Sequence, residues 1–198
     1  IVDSLKYSDY EIYGTEVNFD DKSTNIKPIK LELNNGKKVE IIGKIDRIDL
    51  AKTENGNYFR IIDYKSSIKD LKLDKVYAGL QLQLITYVDA TKNSKQDFKP
   101  TAALYFNLIE PILKQDEIKD DILESIRKKY KMKGLIVANI EYAKMMDRTV
   151  TNGQDSKIVP FSLTNNGDFN KQRSKVITED NFKIIQEYTL KAIEEITT

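Results

Sequence analysis

The chain has 198 residues, of which 40% are hydrophobic and 32% are charged, and its formal net charge is +1. This length suits one domain with a sizeable core, and the composition is typical of a globular protein rather than a disordered one. Cysteine and histidine are both absent, which excludes disulfides, thiol chemistry and the commonest general base. Any chemistry must come from carboxylates, lysine, tyrosine or a hard metal ion, and the net charge neither requires nor excludes a nucleic-acid partner.

Targeting and membrane segments are not visible in the sequence. It has no apolar run of about 18 residues and no signal-peptide pattern, so we expect no membrane span and no membrane partner. The chain starts at Ile1 without a methionine, from which we expect it to be a fragment of a longer protein.

The first half of the chain is predicted to form a meander of about four antiparallel strands. The stretch EIYGTEVNF over 11–19 is the first candidate strand. A tight turn at Asn34–Gly36 is predicted to join strands over 29–33 and 37–51. A second turn signal, TENGN, links the latter to a strand over 58–67.

The second half of the chain is predicted to be mainly helical. A helix over 74–93, with Asp74 as N-cap, precedes a buried strand over 100–109. Together these patterns favour an α+β domain with a mixed sheet of about four to five strands flanked by helices. We expect one domain over 1–198, with a core over about 12–110 and an extension over about 111–198. Within that extension the sequence predicts an amphipathic helix over 114–132, whereas the apolar stretch over 134–142 is too short to assign to a helix or a strand. It also predicts a short hairpin within 147–176 and a final helix over 178–196 with Thr178 as N-cap.

The stretch IIDYKSS over 61–67 sets an acid and a base on one face of a strand, because side chains at i and i+2 point the same way. A two-residue hairpin loop at Asn55–Gly56 would place Asp46 opposite Lys65 and diagonal to Asp63. Two aspartates suit Mg²⁺ or Mn²⁺, and a fixed lysine can position a water or stabilise developing charge. The alternative is a solvated ion pair, which is the commoner role of an isolated Asp-x-Lys.

A polar pair on the following helix extends this hypothesis. Gln83 and Tyr87 lie on one helical stripe with Val76 and Leu80. Next to a metal site, Gln83 could hold a water or Lys65, and the Tyr87 hydroxyl could reach a phosphate. Alternatively, the two side chains only border the core.

Three ordered stretches carry a resemblance to a known family. GKIDRID over 43–49, IIDYKSS over 61–67 and GLQLQLITYVDA over 79–90 resemble the three later motifs of PD-(D/E)XK nucleases of the RecB type. Further similar stretches are GTEVNF, PTAALYFNLIEP, YKMKGLIV and KVIT, so the resemblance spans nearly the whole chain. It implies a restriction-endonuclease-like core and hydrolysis of DNA phosphodiesters.

The resemblance also implies roles for single residues. Asp46 and Asp63 would hold Mg²⁺ or Mn²⁺ with the backbone carbonyl of Tyr64, and Lys65 would be the catalytic lysine. Gln83 would support catalysis, and Gln83 and Tyr87 would lie against the nucleic acid. Glu16 either approaches the metal or is a solvent-exposed glutamate at a strand edge.

Cofactor, partner and location follow from the same resemblance. Nucleases of this kind carry four cysteines that hold an iron–sulfur cluster, and this sequence contains no such ligands. The implied partners are DNA and an AddA-type helicase–nuclease subunit, in the bacterial cytoplasm. No phosphate-binding loop is visible, so no ATP site is expected. Two other functions stay open: a stand-alone exonuclease or resolvase of the same superfamily, and an inert nuclease-like domain that only binds DNA or a partner.

Overall fold

The computed structural model describes residues 2–23, 25–33, 35–110 and 122–197. After the short first helix, the chain is β as far as Lys65, and from Leu73 onwards helices and strands are interspersed among the described residues. The strands are β1 (Glu11–Phe19), β2 (Ile29–Glu32), β3 (Lys38–Ile41), β4 (Gly43–Thr53), β5 (Gly56–Lys65), β6 (Phe98–Asn107), β7 (Lys133–Val137) and β8 (Val176–Ile177). The helices are α1 (Val2–Lys6), α2 (Leu73–Tyr77), α3 (Gln83–Ser94), α4 (Ile122–Lys129), α5 (Ile140–Met146) and α6 (Glu179–Thr197).

A six-stranded mixed sheet organises the fold, in the order β1-β4-β5-β6-β7-β8. The first three of these strands are antiparallel neighbours, β6 lies parallel to β5, and β7 and β8 extend the sheet beyond it. The predicted α+β class and mixed sheet are confirmed. The sheet has more strands than the four to five predicted, because the segment over 134–142 contributes β7 and the short β8 pairs with it.

The predicted long strand over 37–51 is in fact two strands in different sheets. Strands β2 and β3 form a separate two-stranded sheet. The chain then leaves this hairpin at Ile42, which is exposed, and enters β4 at Gly43. Val39, Ile41 and Ile45 keep an even spacing across the break, and for this reason the sequence pattern did not reveal it.

Both faces of the large sheet are covered, which gives the domain two apolar clusters. One cluster lies between the sheet and helices α3 and α6, and includes Ile48, Ile61 and Val88. The other lies on the opposite face, against α5 and the chain that follows it, and includes Ile62 and Leu104. Strand β5 is therefore buried on both faces and reads as an almost continuous apolar run.

The predicted helix over 74–93 is broken into α2 and α3. Gly79 has a φ of 73°, a left-handed conformation that ends the first segment. Leu80, which was predicted to lie on the stripe with Gln83, is exposed within the break. Asp74 is not the N-cap, because Lys72 occupies that position and caps no backbone group with its side chain. Helix α3 starts at Gln83 itself, so that residue stands at the first turn of a new helix.

The remaining elements follow local capping and turn chemistry. Asn139 caps α5 by accepting the backbone N–H groups of Glu141 and Tyr142. The predicted N-cap of the last helix is confirmed, since Thr178 Oγ1 accepts the N–H of Asn181 at 3.2 Å. The predicted helix over 114–132 lies outside the described residues as far as 121; the rest is helical over Ile122–Lys129 and ends three residues earlier than predicted. Among the described helices, none has the length and apolar character needed to span a membrane.

Candidate active site

The hairpin between β4 and β5 sets the register of the candidate site. Its pairs run from Thr53–Gly56 to Arg47–Ile62, so the two-residue loop is Glu54–Asn55. The predicted loop at Asn55–Gly56 is wrong. The cause is the Thr53 hydroxyl, which accepts the Asn55 N–H at 3.1 Å and donates to the Gly56 carbonyl at 3.2 Å, closing the turn one residue earlier.

The observed register places Asp46 opposite Asp63 when it is continued by one pair past Arg47–Ile62. Asp46 therefore does not oppose Lys65, as predicted. The predicted strand register is therefore wrong by two residues. A register shift of two residues keeps every side chain on its predicted face of the sheet. Asp46, Asp63 and Lys65 consequently still share one face, where β4 begins and β5 ends.

Asp46 is held by the backbone of the opposite strand. Its Oδ2 accepts the N–H of Tyr64 at 2.8 Å. This hydrogen bond fixes the carboxylate beside the peptide that follows Asp63. Tyr64 is also the residue whose backbone carbonyl is predicted to bind the metal.

Asp63 is a buried carboxylate with an incompletely satisfied oxygen. Its side chain is 3% exposed, and Oδ2 lies 2.7 Å from Lys65 Nζ as an ion pair. That oxygen accepts no aligned hydrogen bond from the described residues. Burial raises the pKa of Asp63 above its usual range, Lys65 opposes the rise, and the negative charge of Asp46 adds to it. Two acids this close, one of them desolvated, form a site that a cation would stabilise.

Lys65 is connected to the first turn of α3. Its Nζ donates to Gln83 Oε1 at 3.0 Å, and Gln83 Nε2 donates to the Tyr87 hydroxyl at 2.7 Å. Gln83 thus contacts Lys65, one of the two contacts considered from the sequence. Burial raises the pKa of Tyr87, with the charges of Asp63 and Asp46 contributing, so its hydroxyl remains protonated at neutral pH.

Two residues of β6 complete this face and were not identified from the sequence. Tyr105 pairs with Asp63 in the parallel register, and its ring centroid lies 5.8 Å from Lys65 Nζ. Burial, with a smaller effect of Asp63, raises the pKa of Tyr105 to about 12. Asn107 binds both backbone groups of Lys69, at 2.9 Å and 3.2 Å, and so anchors the chain after Lys65. The sequence stretch over 100–109 reads only as a buried strand, because nothing in it indicates which residues face the acids.

Glu16 occupies an unusual backbone position at the sheet edge. It has a φ of 54°, and the register of β1 places it opposite Asp46, between Thr15–Arg47 and Val17–Ile45. Its exposed side chain forms an ion pair with Lys44. The geometry therefore matches the solvent-exposed alternative, and whether Glu16 contacts a metal stays open.

A second group of charges lies on the opposite face of the same strands. Arg47 and Asp49 are both buried there. Asp49 accepts hydrogen bonds from Arg47 at 2.6 Å and 2.9 Å and from Arg60 at 2.9 Å. The Arg60 guanidinium carbon also lies 4.6 Å from the centroid of the Tyr10 ring. The burial of these charges therefore depends on a cross-strand partner and on the chain before β1.

The oxygen donors of the site fit a hard divalent cation. Among the described residues, no cluster of three or more histidine, cysteine, aspartate or glutamate side chains forms a complete set of ligands. The donors that share this face are the carboxylates of Asp46 and Asp63, and carboxylate oxygens suit an ion such as Mg²⁺ that keeps several waters. Asp63 Oδ2 has the Lys65 ion pair but no aligned hydrogen bond from the described residues, which is consistent with this fit.

This site, at the end of a mixed α+β sheet, has the organisation of a metal-dependent nuclease. The sequence profile of the PD-(D/E)XK nuclease superfamily matches residues 8–198, and the chain belongs to this superfamily. The predicted family is thereby confirmed.

Three bacterial relatives are each described as the B subunit of an ATP-dependent helicase/deoxyribonuclease. The chain is 39% identical to the protein of Clostridioides difficile (strain 630) over 204 residues, which cover 99% of the chain and 18% of the relative. It is 39% identical to that of Clostridium novyi (strain NT), with 96% and 17% covered. Identity to the Bacillus cereus (strain ATCC 14579) protein is 38%, with 87% and 15% covered. The chain therefore spans less than a fifth of the length of these relatives.

Proposed function

We propose that the chain is a Mg²⁺- or Mn²⁺-dependent deoxyribonuclease domain that degrades DNA from an end. The observation that carries the proposal is the convergence of Asp46, Asp63 and Lys65 on one face, with Lys65 held by Gln83. An isolated surface ion pair would need neither the second acid nor the amide.

Each residue has a distinct role in this proposal. Asp46, Asp63 and the carbonyl of Tyr64 would hold the divalent ion. When bound, that ion lowers the pKa of a water and offsets charge on the phosphate. The Lys65 ammonium stabilises the additional negative charge of the transition state, and Gln83 keeps it in place through its 3.0 Å hydrogen bond. The protonated Tyr87 hydroxyl orients Gln83 and lies close to the DNA.

The names of the relatives extend the proposal to a biological setting. They describe a helicase and deoxyribonuclease subunit. We infer that this chain acts on DNA ends within such a complex, beside an AddA-type subunit, in the bacterial cytoplasm. An iron–sulfur cluster would belong to other parts of the complete subunit, since the sequence has no cysteine. A single domain with its core over about 12–110 remains part of the proposal.

The direct test is degradation of end-labelled DNA by the chain with Mg²⁺ or Mn²⁺. Parallel assays use Asp63→Ala and Lys65→Ala, with Asp168→Ala as the control because Asp168 is an exposed acid in a turn. We expect stepwise shortening of the labelled strand by the parent and the control, and loss in the two site variants. Metal binding that Asp63→Ala abolishes, without cleavage, would indicate a formed site that needs a partner. Neither cleavage nor metal binding would favour the inert domain.

A further inference from the structure

The chain between β5 and α3 forms a surface loop that borders the candidate active site. It runs over residues 66–82, includes the short helix α2 and begins directly after Lys65. Its two ends meet at the site, because Lys65 Nζ donates to Gln83 Oε1 at 3.0 Å. We call residues 66–82 the β5–α3 connection. Surface loops whose ends lie close together are frequently functional.

The first part of the β5–α3 connection is attached to the strand next to Lys65. Asn107 pairs with Lys65 in the parallel register of β5 and β6. The Asn107 side chain accepts the N–H of Lys69 at 2.9 Å and donates to the Lys69 carbonyl at 3.2 Å. Lys69 is therefore held one strand away from Lys65, at the same end of the sheet.

Two further side chains fix the rest of the β5–α3 connection. Gln81 accepts the N–H of Lys72 at 2.8 Å and donates to the Asp70 carbonyl at 3.1 Å. The Tyr188 hydroxyl, on α6, donates to the Tyr77 carbonyl at 2.7 Å. The backbone of the connection is thus positioned by hydrogen bonds beside the site, and its outer side chains are positioned with it.

The exposed charge of the β5–α3 connection is mainly positive. Its two acids differ: Asp74 is exposed, whereas Asp70 Oδ1 is buried and the charge of Asp70 contributes to the raised pKa of Tyr105. The Asp70 carboxylate therefore faces the sheet. Three lysines have exposed side chains that form no ion pair with the described residues: Lys69, Lys72 and Lys75. This surface attracts an anionic ligand.

Exposed apolar side chains are interleaved with these lysines. Ile68, which lies between Lys65 and Lys69 in the chain, is 68% exposed. Three other large apolar side chains of the connection are also exposed: Leu73, Tyr77 and Leu80. Lysines interleaved with accessible apolar groups suit a ligand that has both phosphates and free base faces, which is an unpaired nucleic-acid strand.

We propose that the β5–α3 connection binds an unpaired DNA strand next to the phosphodiester that is cut. The inference rests on the proposed nuclease function. Lys69 and Lys72 would contact phosphates, and Ile68 would contact a base. Ser66 and Ser67 directly follow Lys65, and their exposed hydroxyls form no hydrogen bond with the described residues, so they can donate to the nearest phosphate.

The first experiment measures binding without cleavage, by fluorescence anisotropy of labelled oligothymidylate in the presence of EDTA. Lys69→Gln/Lys72→Gln is compared with Lys52→Gln/Lys99→Gln, which removes the same charge at the opposite end of the sheet, where both lysines are exposed. We expect the connection pair to raise Kd about tenfold at low salt and to reduce the salt dependence of log Kd by about 0.7 for each of the phosphates no longer neutralised. The control pair should leave both quantities as in the parent.

A second variant tests the contact with a base. Ile68→Ala should raise Kd for oligothymidylate about threefold or more, because the apolar side chain no longer covers a base face. A fully paired DNA hairpin should bind more weakly than the single strand and show no effect of Ile68→Ala. A hairpin that binds as tightly as the single strand would overturn the assignment to an unpaired strand.

A third variant tests whether the position of Lys69 matters as well as its charge. Asn107→Ala keeps every lysine but removes both hydrogen bonds to the Lys69 backbone. We expect Kd to rise about threefold, and we expect Asn107→Ala to have little further effect in a Lys69→Gln background, since the two changes remove one contact. Additive effects would contradict this role of Asn107. Thermal unfolding of each variant verifies that the fold is retained.

The outcomes separate this inference from the proposed nuclease function. Cleavage by the parent, together with unchanged DNA binding in all variants of the connection, would overturn the inference and leave the nuclease. Equal losses in the connection pair and the control pair would also overturn it, because they would indicate unspecific attraction, and so would a parent that does not bind the oligothymidylate. Selective loss of binding in the connection variants supports the inference, even if the cleavage test fails.

Discussion

Two groups of charged residues lie back to back on strands β4 and β5, and they differ in how completely their carboxylates are satisfied. On one face, Asp49 has hydrogen bonds to both oxygens from Arg47 and Arg60. On the other face, Asp63 has a buried oxygen without an aligned hydrogen bond, with Asp46 beside it. A saturated buried acid stabilises the fold, whereas an unsaturated one beside a second acid is available for a cation.

The comparison also shows that burial alone does not identify function. Asp49 is more completely buried than Asp63, yet both of its oxygens already accept hydrogen bonds from guanidinium groups. What differs is the partner: the guanidinium groups fill the coordination of Asp49, but a single lysine amine cannot do so for two carboxylates.

Removing the saturated carboxylate should damage the fold most. Asp49→Ala leaves the buried guanidinium groups of Arg47 and Arg60 without their acid, and such losses cost about 3–5 kcal/mol in unfolding free energy. Urea unfolding measures the change. The matched control is Asp155→Ala, whose ion pair with Arg173 is exposed and should contribute less than about 1 kcal/mol. A similar small loss for both variants would contradict the distinction.

Removing the Asp63 carboxylate should strongly reduce DNA degradation without destabilising the fold. Asp63→Asn should lower the rate of DNA degradation by about 10²- to 10³-fold. Because burial raises the pKa of Asp63, its ionised form costs stability above its ordinary pKa, and the neutral amide removes that cost. We therefore expect a midpoint of unfolding equal to or above that of the parent at neutral pH. A strongly destabilised variant would show that Asp63 serves the fold as Asp49 does.

Removing the Gln83 amide that holds Lys65 should have an intermediate effect on the rate of DNA degradation. Gln83→Ala removes the acceptor of Lys65 Nζ and the donor to Tyr87, and we expect a rate loss of about 10- to 100-fold, as for residues that orient a site. Tyr87→Phe removes only a hydroxyl and should lose less. A matched exposed amide, Gln172→Ala, should leave the rate unchanged. Equal rates for Gln83→Ala and the parent would remove Gln83 from the site.

The sequence was sufficient to predict that Asp46, Asp63 and Lys65 share one face of the sheet, because side-chain direction in strands has a period of two. Asp63 and Lys65 share a face whatever their partner strand does. Asp46 joined them in spite of the wrong register, because the error was an even number of residues. A one-residue error would have placed Asp46 with the partners of Arg47 on the opposite face.

Other features depend on contacts that a single sequence does not display. The break at Gly79 lies within an uninterrupted helical pattern, so only the left-handed backbone reveals it. The burial of Arg47 requires Asp49 and, across the hairpin, Arg60, whose own environment includes Tyr10 from outside the hairpin. Such long-range partners are set by packing and not by local periodicity.

A third buried acid also has an oxygen without a hydrogen bond, but it lies away from the charges of the candidate site. Asp89, on α3, accepts a hydrogen bond from Gln186 on α6, while its Oδ2 has no partner among the described residues. Burial raises the pKa of Asp89 to about 7, against the opposing effects of Gln186 and Lys92. Asp89 therefore resembles Asp63 in desolvation, but no second carboxylate among the described residues contributes to its pKa as Asp46 does for Asp63.

Asp89 should consequently affect stability and not metal binding. The folded protein keeps the Asp89 proton up to about pH 7, whereas the unfolded chain releases it near pH 4, so the unfolding free energy falls as pH rises through this window. Asp89→Asn keeps an acceptor for Gln186 and should be more stable than the parent by about 1–2 kcal/mol at pH 8, with a smaller difference at pH 5. Urea unfolding at the two pH values, with Asp168→Asn as the control, measures this. A pH-independent difference would show that the carboxyl group of Asp89 stays ionised in the folded protein, and that an unsaturated buried oxygen alone does not raise its pKa.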